Sequence, residues 1–494
     1  MHNPGFKKVA TLLLTALIYV TTVYLSLPLE VLAAPNEETD YIALAEERKT
    51  LPIQSNQVEN WPSGPEIGAQ AAILMEANTG VILYAKNIHE RLYPASTTKL
   101  MTCLLAIENA ELDEMVTFSH DAVFSLEDDS SNMGIDERQA LTMEECLYGI
   151  LVASANEVAN AVAEHVGGSM ADFADMMNER AAELGCTDTH FVNAHGLYDD
   201  DHYTSAYDLA TIGRAFFQNE VLSKIGNTIF YHFVPTDTQP DDFVKRNKHK
   251  LITGEIPYEG IKGGKTGYTS EARETLVTCA EKNGMKLICV VLKEESPEQF
   301  YDTVKLLDYG FTNFSVVNVS EHETNYNMDN TEFFHSSYHV FGNTIPLFSL
   351  NQSSYLILPK TIDFDELESE ISYDVTNAND VAYINYFYNS AYVGTAAIEL
   401  VAPQQSAYYS FDNQTISPLS EISENIENTD TTDKAAQIIF INVKTVLFSV
   451  LCISAVLIII SVIRDMLVSY AFGNGRNSRR QKKRRGKKWN GPHL

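Results

Sequence analysis

Cysteine is scarce in this chain, which has only six among its 494 residues. No two have Cys-x-x-Cys spacing and none falls in a His/Cys cluster, so the sequence offers no zinc-site pattern. Cysteines this sparse are usually buried single thiols. One disulfide stays open at this point, between Cys279 and Cys289 across a predicted hairpin.

Positive charge is also in short supply. The chain has 35 Lys and Arg against 66 Asp and Glu, which gives a net charge of −31. This balance argues against a nucleic-acid partner, which would require a basic face. The basic residues are densest at 476–488, where nine of them occur without an acid. That end of the chain is therefore expected to lie in a different electrostatic environment from the rest.

An apolar run near the N-terminus has the three parts of a secretory signal. Lys7 and Lys8 form a short positive region, residues 9–27 are apolar, and small residues follow at Ala33 and Ala34. We predict a signal peptide over residues 1–33, cleaved after Ala33. An uncleaved membrane anchor is the alternative interpretation.

A second apolar run lies close to the C-terminus. Residues 445–463 carry no charge, and as a helix they would span about 28 Å, close to the hydrocarbon thickness of a membrane. We predict a transmembrane helix over 438–463, because a run that is apolar on all sides disfavours a buried core helix. Positive residues stay cytoplasmic, so the basic tail, 464–494, is expected inside. The protein is therefore predicted to be a single-pass cell-membrane protein with its main part extracytoplasmic.

The elements predicted between these two runs are strands, then helices, then strands again. Residues 34–60 are polar and are interpreted as a loose lead-in. The elements that follow are a hairpin at 71–75 and 81–85, helices at 96–109, 141–166 (broken near Ser154), 170–184 and 205–216, strands at 275–280 and 285–292, and a helix at 297–309. Ser205 and Asp208 fit a capping box that opens the fourth helix. This order favours an antiparallel sheet with a helical subdomain, an α/β domain over residues 61–312.

The composition changes after this domain. Residues 313–403 alternate short runs of Val, Tyr, Phe, Ile and Leu with Asn, Ser and Gly, which predicts a small all-β domain. Residues 404–437 are rich in Ser, Thr, Asn and acids and are predicted to be a stalk before the transmembrane helix. More than one folded domain agrees with the length, since 494 residues exceed one ordinary core.

Three short motifs occur in order within the α/β domain. They are Ser96-Thr97-Thr98-Lys99, Ser154-Ala155-Asn156 and Lys265-Thr266-Gly267. The first two are weak signals when taken alone, and the third is stronger. Their order, their spacing and the elements predicted around them agree, which makes the set a strong signal.

The first motif pairs a nucleophile with a base. Ser96 and Lys99 are three residues apart, so a helix places them on one face. Pro94 favours a helix start just before Ser96, at the positive end of the helix dipole, where a backbone N–H is available to an oxyanion. Lys99 can accept the Ser96 proton only if it is neutral. Neutrality requires burial and a nearby cation, for which Lys265 is the candidate.

The second motif can supply a proton relay. It lies where two predicted helical stretches meet, near the break at Ser154. The Ser154 hydroxyl can pass a proton between Lys99 and a leaving amine. The Asn156 side chain can hydrogen-bond a substrate amide.

The third motif can hold the substrate. It lies on a predicted strand edge, beside which an extended peptide can pair. Lys265 and Thr266 can hold a substrate carboxylate, and Gly267 lets the substrate approach the backbone. The next residue, Tyr268, is expected to provide its amide N–H as a second oxyanion donor.

This motif set occurs in penicillin-binding proteins and class A β-lactamases, and longer stretches of the sequence resemble one group among them. The stretches are YPASTTKLMT at 93–102, VASAN at 152–156, FVNAHGL at 191–197, HYTSAYD at 202–208 and GKTGYT at 264–269. They resemble the low-molecular-mass penicillin-binding proteins, the D-alanyl-D-alanine carboxypeptidases. The resemblance covers about residues 65–312 and extends more loosely to about residue 403.

The resemblance implies a fold, a reaction and its partners. The fold is the penicillin-binding/β-lactamase-like one, and the activity is a serine peptidase that removes the terminal D-alanine from peptidoglycan pentapeptide stems. The reaction passes through an acyl-enzyme on Ser96, needs no metal or other cofactor, and is inhibited by β-lactams. The expected partners are therefore peptide stems, β-lactams and the cytoplasmic membrane.

Two residues depart from the family pattern. Ala194 stands where the family usually has Pro, and Arg273 stands where Gly is common. Some family members carry an Arg beyond the second strand after the third motif, where this chain has Lys293-Glu294-Glu295. Arg273 is therefore a candidate partner of Lys265 in binding the carboxylate, although this assignment is open.

Other functions share these motifs. A DD-endopeptidase or transpeptidase remains an alternative. A β-lactamase is disfavoured because no Glu-Pro-x-Leu-Asn-like run occurs between the second and third motifs. A non-catalytic sensor of muropeptides or β-lactams is disfavoured by the intact Ser96 and Lys99 and by a tail of only 31 residues. His195 and His202 are interpreted as structural, because a Ser/Lys arrangement needs no histidine.

Overall fold

The computed structural model describes residues 40–126, 130–324 and 348–400. The predicted signal peptide, stalk, transmembrane helix and basic tail lie outside these ranges. No helix within them is long and apolar enough to cross a membrane.

The described residues form α-helices and β-strands, which are numbered in chain order. The helices are α1 (Tyr41–Arg48), α2 (Lys99–Asn109), α3 (His120–Phe124), α4 (Met143–Tyr148), α5 (Asn156–Gly167), α6 (Met170–Glu183), α7 (Ala206–Gln218), α8 (Glu220–Gly226), α9 (Lys250–Thr253), α10 (Glu298–Asn313) and α11 (Val319–His322). The strands are β1 (Ala71–Glu76), β2 (Ile82–Lys86), β3 (Met115–Thr117), β4 (Ala140–Thr142), β5 (Phe230–Phe233), β6 (Phe243–Arg246), β7 (Ile261–Thr269), β8 (Arg273–Lys282), β9 (Met285–Glu294), β10 (Phe314–Asn318), β11 (Phe348–Leu350), β12 (Tyr355–Pro359), β13 (Glu368–Ser372), β14 (Asp380–Tyr388) and β15 (Ala391–Leu400).

A five-stranded antiparallel sheet, ordered β2-β1-β9-β8-β7, forms the centre of the α/β domain. Its inner strands are buried on both faces, because α2 and α7 belong to the apolar core on one side and α10 packs on the other. This explains why these strands are nearly continuous apolar runs. Both predicted hairpins are confirmed as β1–β2 and β8–β9. The sequence order of strands, helices and strands thus yields a sheet with a helical subdomain.

The helical subdomain is interrupted where the second motif begins. The predicted helical stretch 141–166 consists of β4, α4, a π-helical turn at Gly149–Ala153 and α5. The break predicted near Ser154 is confirmed, since Ser154 has a left-handed φ of 61°. The predicted helix 96–109 begins with a 3₁₀ turn at Ala95–Thr98 before α2.

The capping box predicted at the start of α7 is only half right. The Ser205 hydroxyl accepts a hydrogen bond from the Asp208 amide at 3.1 Å, as a capping residue should. The Asp208 carboxylate does not return to the cap. It accepts hydrogen bonds from the Asp188 amide at 2.7 Å and from the Thr189 hydroxyl at 2.8 Å. A tertiary contact therefore replaces the local bond that the pattern predicts.

The prediction of a loose lead-in is wrong for residues 40–60. Helix α1 forms there and is fixed by buried polar contacts. Arg48 donates to the Gly68 carbonyl at 2.7 Å and pairs with Glu295 at 3.3 Å. Lys86 donates to the Arg48 carbonyl at 2.8 Å. Because these contacts join positions far apart in sequence, local composition gave no indication of them.

The strands after α10 form a two-stranded sheet, β10–β12, and a four-stranded sheet, β11-β15-β14-β13. Alternate residues of β14 are buried, as expected for a sheet with one face on a core. Leu356 and Tyr386 belong to the same apolar cluster as Leu74 of the central sheet. The ring centroids of Trp61 and Phe314 lie 5.3 Å apart. A continuous core thus joins this β-rich region to the α/β domain.

The disulfide left open between Cys279 and Cys289 is excluded. Both thiols are free and buried. Cys279 pairs with Ile288 and Cys289 pairs with Thr278 in the β8–β9 ladder. Adjacent positions of a ladder point to opposite faces of the sheet. The two sulfur atoms therefore lie in different cores.

Candidate active site

Ser96 lies in the 3₁₀ turn that precedes α2. Ala95 holds a left-handed φ of 49°, and Pro94 accepts a hydrogen bond from the Thr275 hydroxyl at 2.8 Å. Gly196 packs so closely on the Ala95 carbonyl that a Cβ atom at this position would overlap it. Contacts from two other segments thus fix the backbone that carries the Ser96 hydroxyl.

Lys99 is fully buried, and its amine lies among three oxygen atoms. Its Nζ is 3.0 Å from Ser96 Oγ, 2.7 Å from Asn156 Oδ1 and 2.6 Å from the His195 carbonyl oxygen. Burial lowers the pKa of Lys99 well below its ordinary value, and the charge of Lys265 lowers it further. The Asn156 and His195 oxygens can only accept, so they match the two N–H groups of a neutral amine. The amine lone pair is then left for the Ser96 O–H.

Lys265 and Ser154 form the opposite side of the site. Lys265 Nζ donates to Ser154 Oγ at 3.0 Å and to the Thr266 carbonyl at 2.7 Å. Burial, followed by the charge of Lys248, lowers the pKa of Lys265 to about 7. Ser154 reaches this position from its left-handed conformation after the π-helical turn, a type of distortion often found at functional sites.

The third motif lies on β7, the end strand of the central sheet, so one edge of this strand is free of a neighbour within the sheet. A Cβ atom at Gly267 would lie 2.8 Å from the Ser96 amide nitrogen. The Ser96 amide therefore lies beside the backbone of Gly267, the residue that precedes Tyr268. The Tyr268 side chain is 55% exposed, so it points away from the core. The strand can thus bring its own backbone, rather than a side chain, up to the nucleophile.

Lys248 is a site residue that the sequence interpretation missed. Its amine donates to Ser131 Oγ at 2.9 Å, and the Ser131 carbonyl accepts the Asn156 amide at 2.8 Å. The charge of Lys248 lowers the pKa of both Lys265 and Lys99. It belongs to none of the three motifs. The sequence signal for Lys248 is that it lies in a basic stretch, 245–250, of an acidic chain.

Arg273 lies beside the site but is already paired. Its guanidinium contacts Glu295 at 2.6 Å and 3.0 Å and stacks 3.8 Å from the centroid of the Tyr41 ring. It also approaches the Tyr268 hydroxyl at 3.5 Å. Its φ of 54° accounts for glycine being common at this position. Glu295 therefore competes with any substrate carboxylate for this cation.

His195 and His202 act as hydrogen-bond anchors in their neutral forms. Burial lowers the pKa of each ring to about 3. His195 Nδ1 accepts the Leu197 amide at 3.1 Å, and His202 Nδ1 accepts the Val192 amide at 3.1 Å. The second nitrogen of His202 is 2.8 Å from the Thr98 hydroxyl. Both rings hold the loop that supplies the carbonyl partner of Lys99.

The structure brings together the three motifs that the sequence singled out. Ser96 and Lys99, Asn156 and Lys99, and Ser154 and Lys265 are joined by direct contacts, while Thr266, Gly267 and Tyr268 follow on the adjoining strand edge. Arg273 lies beside this group of residues and forms an ion pair with Glu295. No group of His, Cys, Asp or Glu in residues 40–126, 130–324 and 348–400 is arranged to hold a metal ion. A serine hydroxyl facing a buried, neutral lysine is the arrangement of a Ser/Lys acyl-enzyme class, in which the hydroxyl is the nucleophile and the amine is the base.

Comparisons with known proteins agree with this class. Residues 58–296 match the family described as D-alanyl-D-alanine carboxypeptidase. The carboxypeptidase DacF of Bacillus subtilis is 37% identical over 253 residues, which cover 50% of this chain and 63% of the relative. DacD of Escherichia coli is 33% identical over 52% of this chain and 67% of its own length. DacB2 of Mycobacterium tuberculosis is 31% identical over 51% of this chain and 84% of its own length.

Solved structures share the fold. Penicillin-binding protein 5 of Haemophilus influenzae superimposes with a TM-score of 0.55 and 26% identity, over 69% of this chain and 98% of that structure. Penicillin-binding protein 6B of Escherichia coli gives a TM-score of 0.51 and 26% identity over the same shares. The chain has the penicillin-binding/β-lactamase-like α/β fold, and it belongs to the D-alanyl-D-alanine carboxypeptidase family. The matched segment spans less than two thirds of the B. subtilis relative.

Proposed function

We propose that the protein is a serine-type D-Ala-D-Ala carboxypeptidase that removes the terminal D-alanine from peptidoglycan pentapeptide stems. One observation carries the proposal: Lys99 Nζ lies 3.0 Å from Ser96 Oγ, and its two donors are matched by other acceptors. This leaves a lone pair for the serine proton. The proposal assigns Ser96 as nucleophile and Lys99 as general base.

Acylation begins when Lys99 takes the proton of the Ser96 hydroxyl. Ser96 Oγ then bonds to the carbonyl carbon of the penultimate D-alanine, and the Ser96 and Tyr268 amides donate to the resulting oxyanion. The C–N bond to the terminal D-alanine breaks, and the leaving amine receives the proton held by Lys99 through Ser154. The products are a Ser96 ester and free D-alanine.

Deacylation repeats these steps with water. Lys99 takes a proton from the water molecule, whose oxygen bonds to the ester carbon. The C–O bond to Ser96 breaks, and the proton returns to Ser96 Oγ. The shortened peptide leaves with a new carboxyl group, and the enzyme is restored.

Lys265 and Thr266 bind the terminal carboxylate of the substrate in this scheme. The Lys265 ammonium is buried and has Ser154 as a side-chain partner. A bound carboxylate stabilises the charged form of Lys265 and raises its pKa from the value of about 7 in the free protein. Lys248 adds a second positive charge on the same side of the site, which agrees with an anionic substrate end.

Two assays on the full chain in detergent test this function. The first measures D-alanine released from a peptide ending in D-Ala-D-Ala, and the second measures labelling by a fluorescent penicillin. We expect both signals, and we expect Ser96→Ala to lose both. Stable labelling without D-alanine release would instead indicate a sensor. Rapid hydrolysis of the penicillin would indicate a β-lactamase, and product formation that needs an added amine would indicate a transpeptidase.

The same proposal includes the membrane topology predicted from the two apolar runs. The signal peptide directs residues 34–437 outward, and the helix at 438–463 anchors them with the basic tail in the cytoplasm. Support comes from the charge pattern, since nine basic residues follow the second apolar run. Protease added outside spheroplasts should remove the penicillin-labelled domain and leave a tail epitope protected. Digestion of the tail epitope in intact spheroplasts would contradict this orientation.

A further inference from the structure

A short segment without helix or strand, loop 131–135, contacts several parts of the candidate active site. The Ser131 carbonyl accepts the amide of Asn156 at 2.8 Å, and the Ser131 hydroxyl accepts the Lys248 amine at 2.9 Å. Met133 is buried against the π-helical turn, where a Cβ atom added to the first residue would lie 2.8 Å from the Met133 sulfur. The loop backbone therefore helps to set the positions of Lys248 and of the turn that leads to the second motif.

Glu157 holds this loop from the helix α5. It is the second residue of that helix, and it is only 3% exposed. Its Oε1 atom accepts the Met133 amide at 2.6 Å and the Gly134 amide at 3.1 Å. Hydrogen bonds to an ionised acceptor are about twice as strong as those between neutral groups. One carboxylate oxygen thus fixes two successive peptide units of loop 131–135.

The burial of this carboxylate is costly. Its second oxygen, Oε2, is buried and has no hydrogen-bond partner among the described residues. Burial raises the pKa of the Glu157 carboxyl, and the amides of the loop oppose that effect. Unpartnered buried polar atoms are rare in folded proteins and require an explanation. An apolar side chain at this position would avoid the cost, so the carboxylate indicates a role beyond packing.

We propose that Glu157 is a positioning residue for the reaction, which acts through loop 131–135 on Lys248 and on the turn that carries Ser154. The inference rests on the proposed carboxypeptidase function, because it assigns Glu157 an effect on that reaction. Loss of the carboxylate frees the loop backbone and displaces Lys248 from the side of the site that receives the substrate carboxylate. It also loosens the turn that presents Ser154 to the leaving amine, so both substrate binding and turnover weaken.

The test measures D-alanine release and penicillin acylation by variants of the full chain in detergent. Glu157→Ala leaves both loop amides without their acceptor. We expect its kcat/KM to fall about 10- to 100-fold, since displacement of a reacting group by about 1 Å can cost a factor of about 10². Glu157→Gln keeps an oxygen for both amides and should retain most of the wild-type value. Glu157→Asp withdraws the carboxylate by one methylene group, and it replaces the alanine variant if that variant does not fold.

A double-mutant cycle with Lys248→Gln shows whether the effect passes through the loop. If it does, the loss of kcat/KM in the double variant should be clearly smaller than the product of the two single losses. Losses that multiply would overturn the proposal. A wild-type kcat/KM in folded Glu157→Ala, or in Glu157→Asp where it takes the place of the alanine variant, would overturn it as well.

Glu76→Ala is the matched control. Glu76 is a buried carboxylate in the turn between β1 and β2, where it accepts two successive amides, those of Asn78 at 3.0 Å and Thr79 at 2.7 Å. Its loss should lower the thermal midpoint and leave the kcat/KM of the folded fraction unchanged. An equal loss of kcat/KM in Glu76→Ala would overturn the proposal, because general destabilisation would then explain both results.

The two readouts separate this inference from the function on which it rests. Failure of the wild-type chain to release D-alanine would overturn the carboxypeptidase activity. The rate of penicillin acylation in the same variants would then still decide the role of Glu157.

Discussion

Two buried lysines in this protein have opposite surroundings. Lys99 lies among neutral acceptors, and the charge with the largest effect on its pKa is the cation Lys265. Lys86 is also buried, but its amine donates to the Arg48 and Ile67 carbonyls at 2.8 and 2.7 Å, and nearby carboxylates oppose the effect of burial. Burial lowers both pKa values, that of Lys86 to about 8 and that of Lys99 well below its ordinary value.

The difference shows what converts a lysine into a base. Burial alone leaves Lys86 a structural cation that ties α1 to β2. At Lys86 the carboxylates of Glu294 and Asp302 oppose the effects of burial and of Arg48. At Lys99 the charge of Lys265 adds to the effect of burial and no carboxylate is a direct partner, which favours the neutral amine. The contact with Ser96 then has a chemical consequence, whereas the contacts of Lys86 only hold backbone segments together.

The largest effect is expected from Lys99→Met, which removes the amine and keeps most of its volume. The rate of acylation by penicillin should fall roughly 10²- to 10⁴-fold, since proton transfer from Ser96 loses its base. Stopped-flow labelling measures this rate. Lys86→Met is the matched control: it should lose about 1–3 kcal/mol of unfolding free energy, because two buried carbonyls lose their donor. The folded fraction of Lys86→Met should be acylated at the wild-type rate. A comparable loss of acylation rate in both variants would contradict the distinction between the two lysines.

Gly267→Ala should have the next largest effect. The added Cβ would lie 2.4 Å from the Thr275 hydroxyl oxygen and 2.8 Å from the Ser96 amide nitrogen, so β7 must shift relative to the nucleophile. Loss of one aligned oxyanion donor typically costs about 10²- to 10³-fold in rate. The acylation rate should fall while the thermal midpoint changes little, because β7 is an end strand. Unchanged acylation would show that this close approach is not needed for oxyanion binding.

The pH dependence of kcat/KM separates Lys99 from Lys265. Lys99 must be neutral, so activity rises with pH through its lowered pKa. Lys265 must be charged to bind the carboxylate, so activity falls as pH rises above about 7, where the free protein loses that proton. A substrate with an amidated C-terminus should lack the falling limb. A falling limb of equal steepness with both substrates would rule out Lys265 as its origin.

The smallest effect is expected from Lys248→Gln. The charge of Lys248 lowers the pKa of both Lys99 and Lys265, so its removal should shift both limbs of the pH profile to higher pH. Lys224, an exposed lysine in the last turn of α8, provides the control. Lys224→Gln should leave the profile in place. A profile that does not move in Lys248→Gln would mean that solvent screens this charge.

The sequence predicted those features that depend on local pattern. Alternating and continuous apolar runs predicted the β1–β2 and β8–β9 hairpins, and the three motifs identified side chains that contact each other in space. The motifs succeed because each stands at a fixed structural boundary: the start of α2, the break before α5 and the edge strand β7. Arg273 was noted as unusual where glycine is common, and its positive φ gives the reason.

Features that depend on contacts between distant segments could not be predicted in this way. Helix α1 is short and polar, and it is held by Glu295 and Gly68 from other parts of the chain. Lys248 is held beside the site by its hydrogen bond to Ser131, which lies more than a hundred residues earlier in the chain. The Asp208 carboxylate accepts a hydrogen bond from the Asp188 amide instead of forming the local capping bond. None of these partners has a periodicity or spacing that a single sequence displays.

The charge state of Lys99 decides whether its amine can act as the base, and it can be measured directly. NMR of the full chain in micelles, with lysines labelled at 13Cε, gives the pKa of each resolved lysine, and Lys99→Met, Lys265→Met and Lys86→Met assign three of them. We expect the resonance lost in Lys99→Met to titrate well below the pH range of the exposed lysines. Titration of that resonance together with the exposed lysines, near the ordinary value of about 10.4, would contradict it.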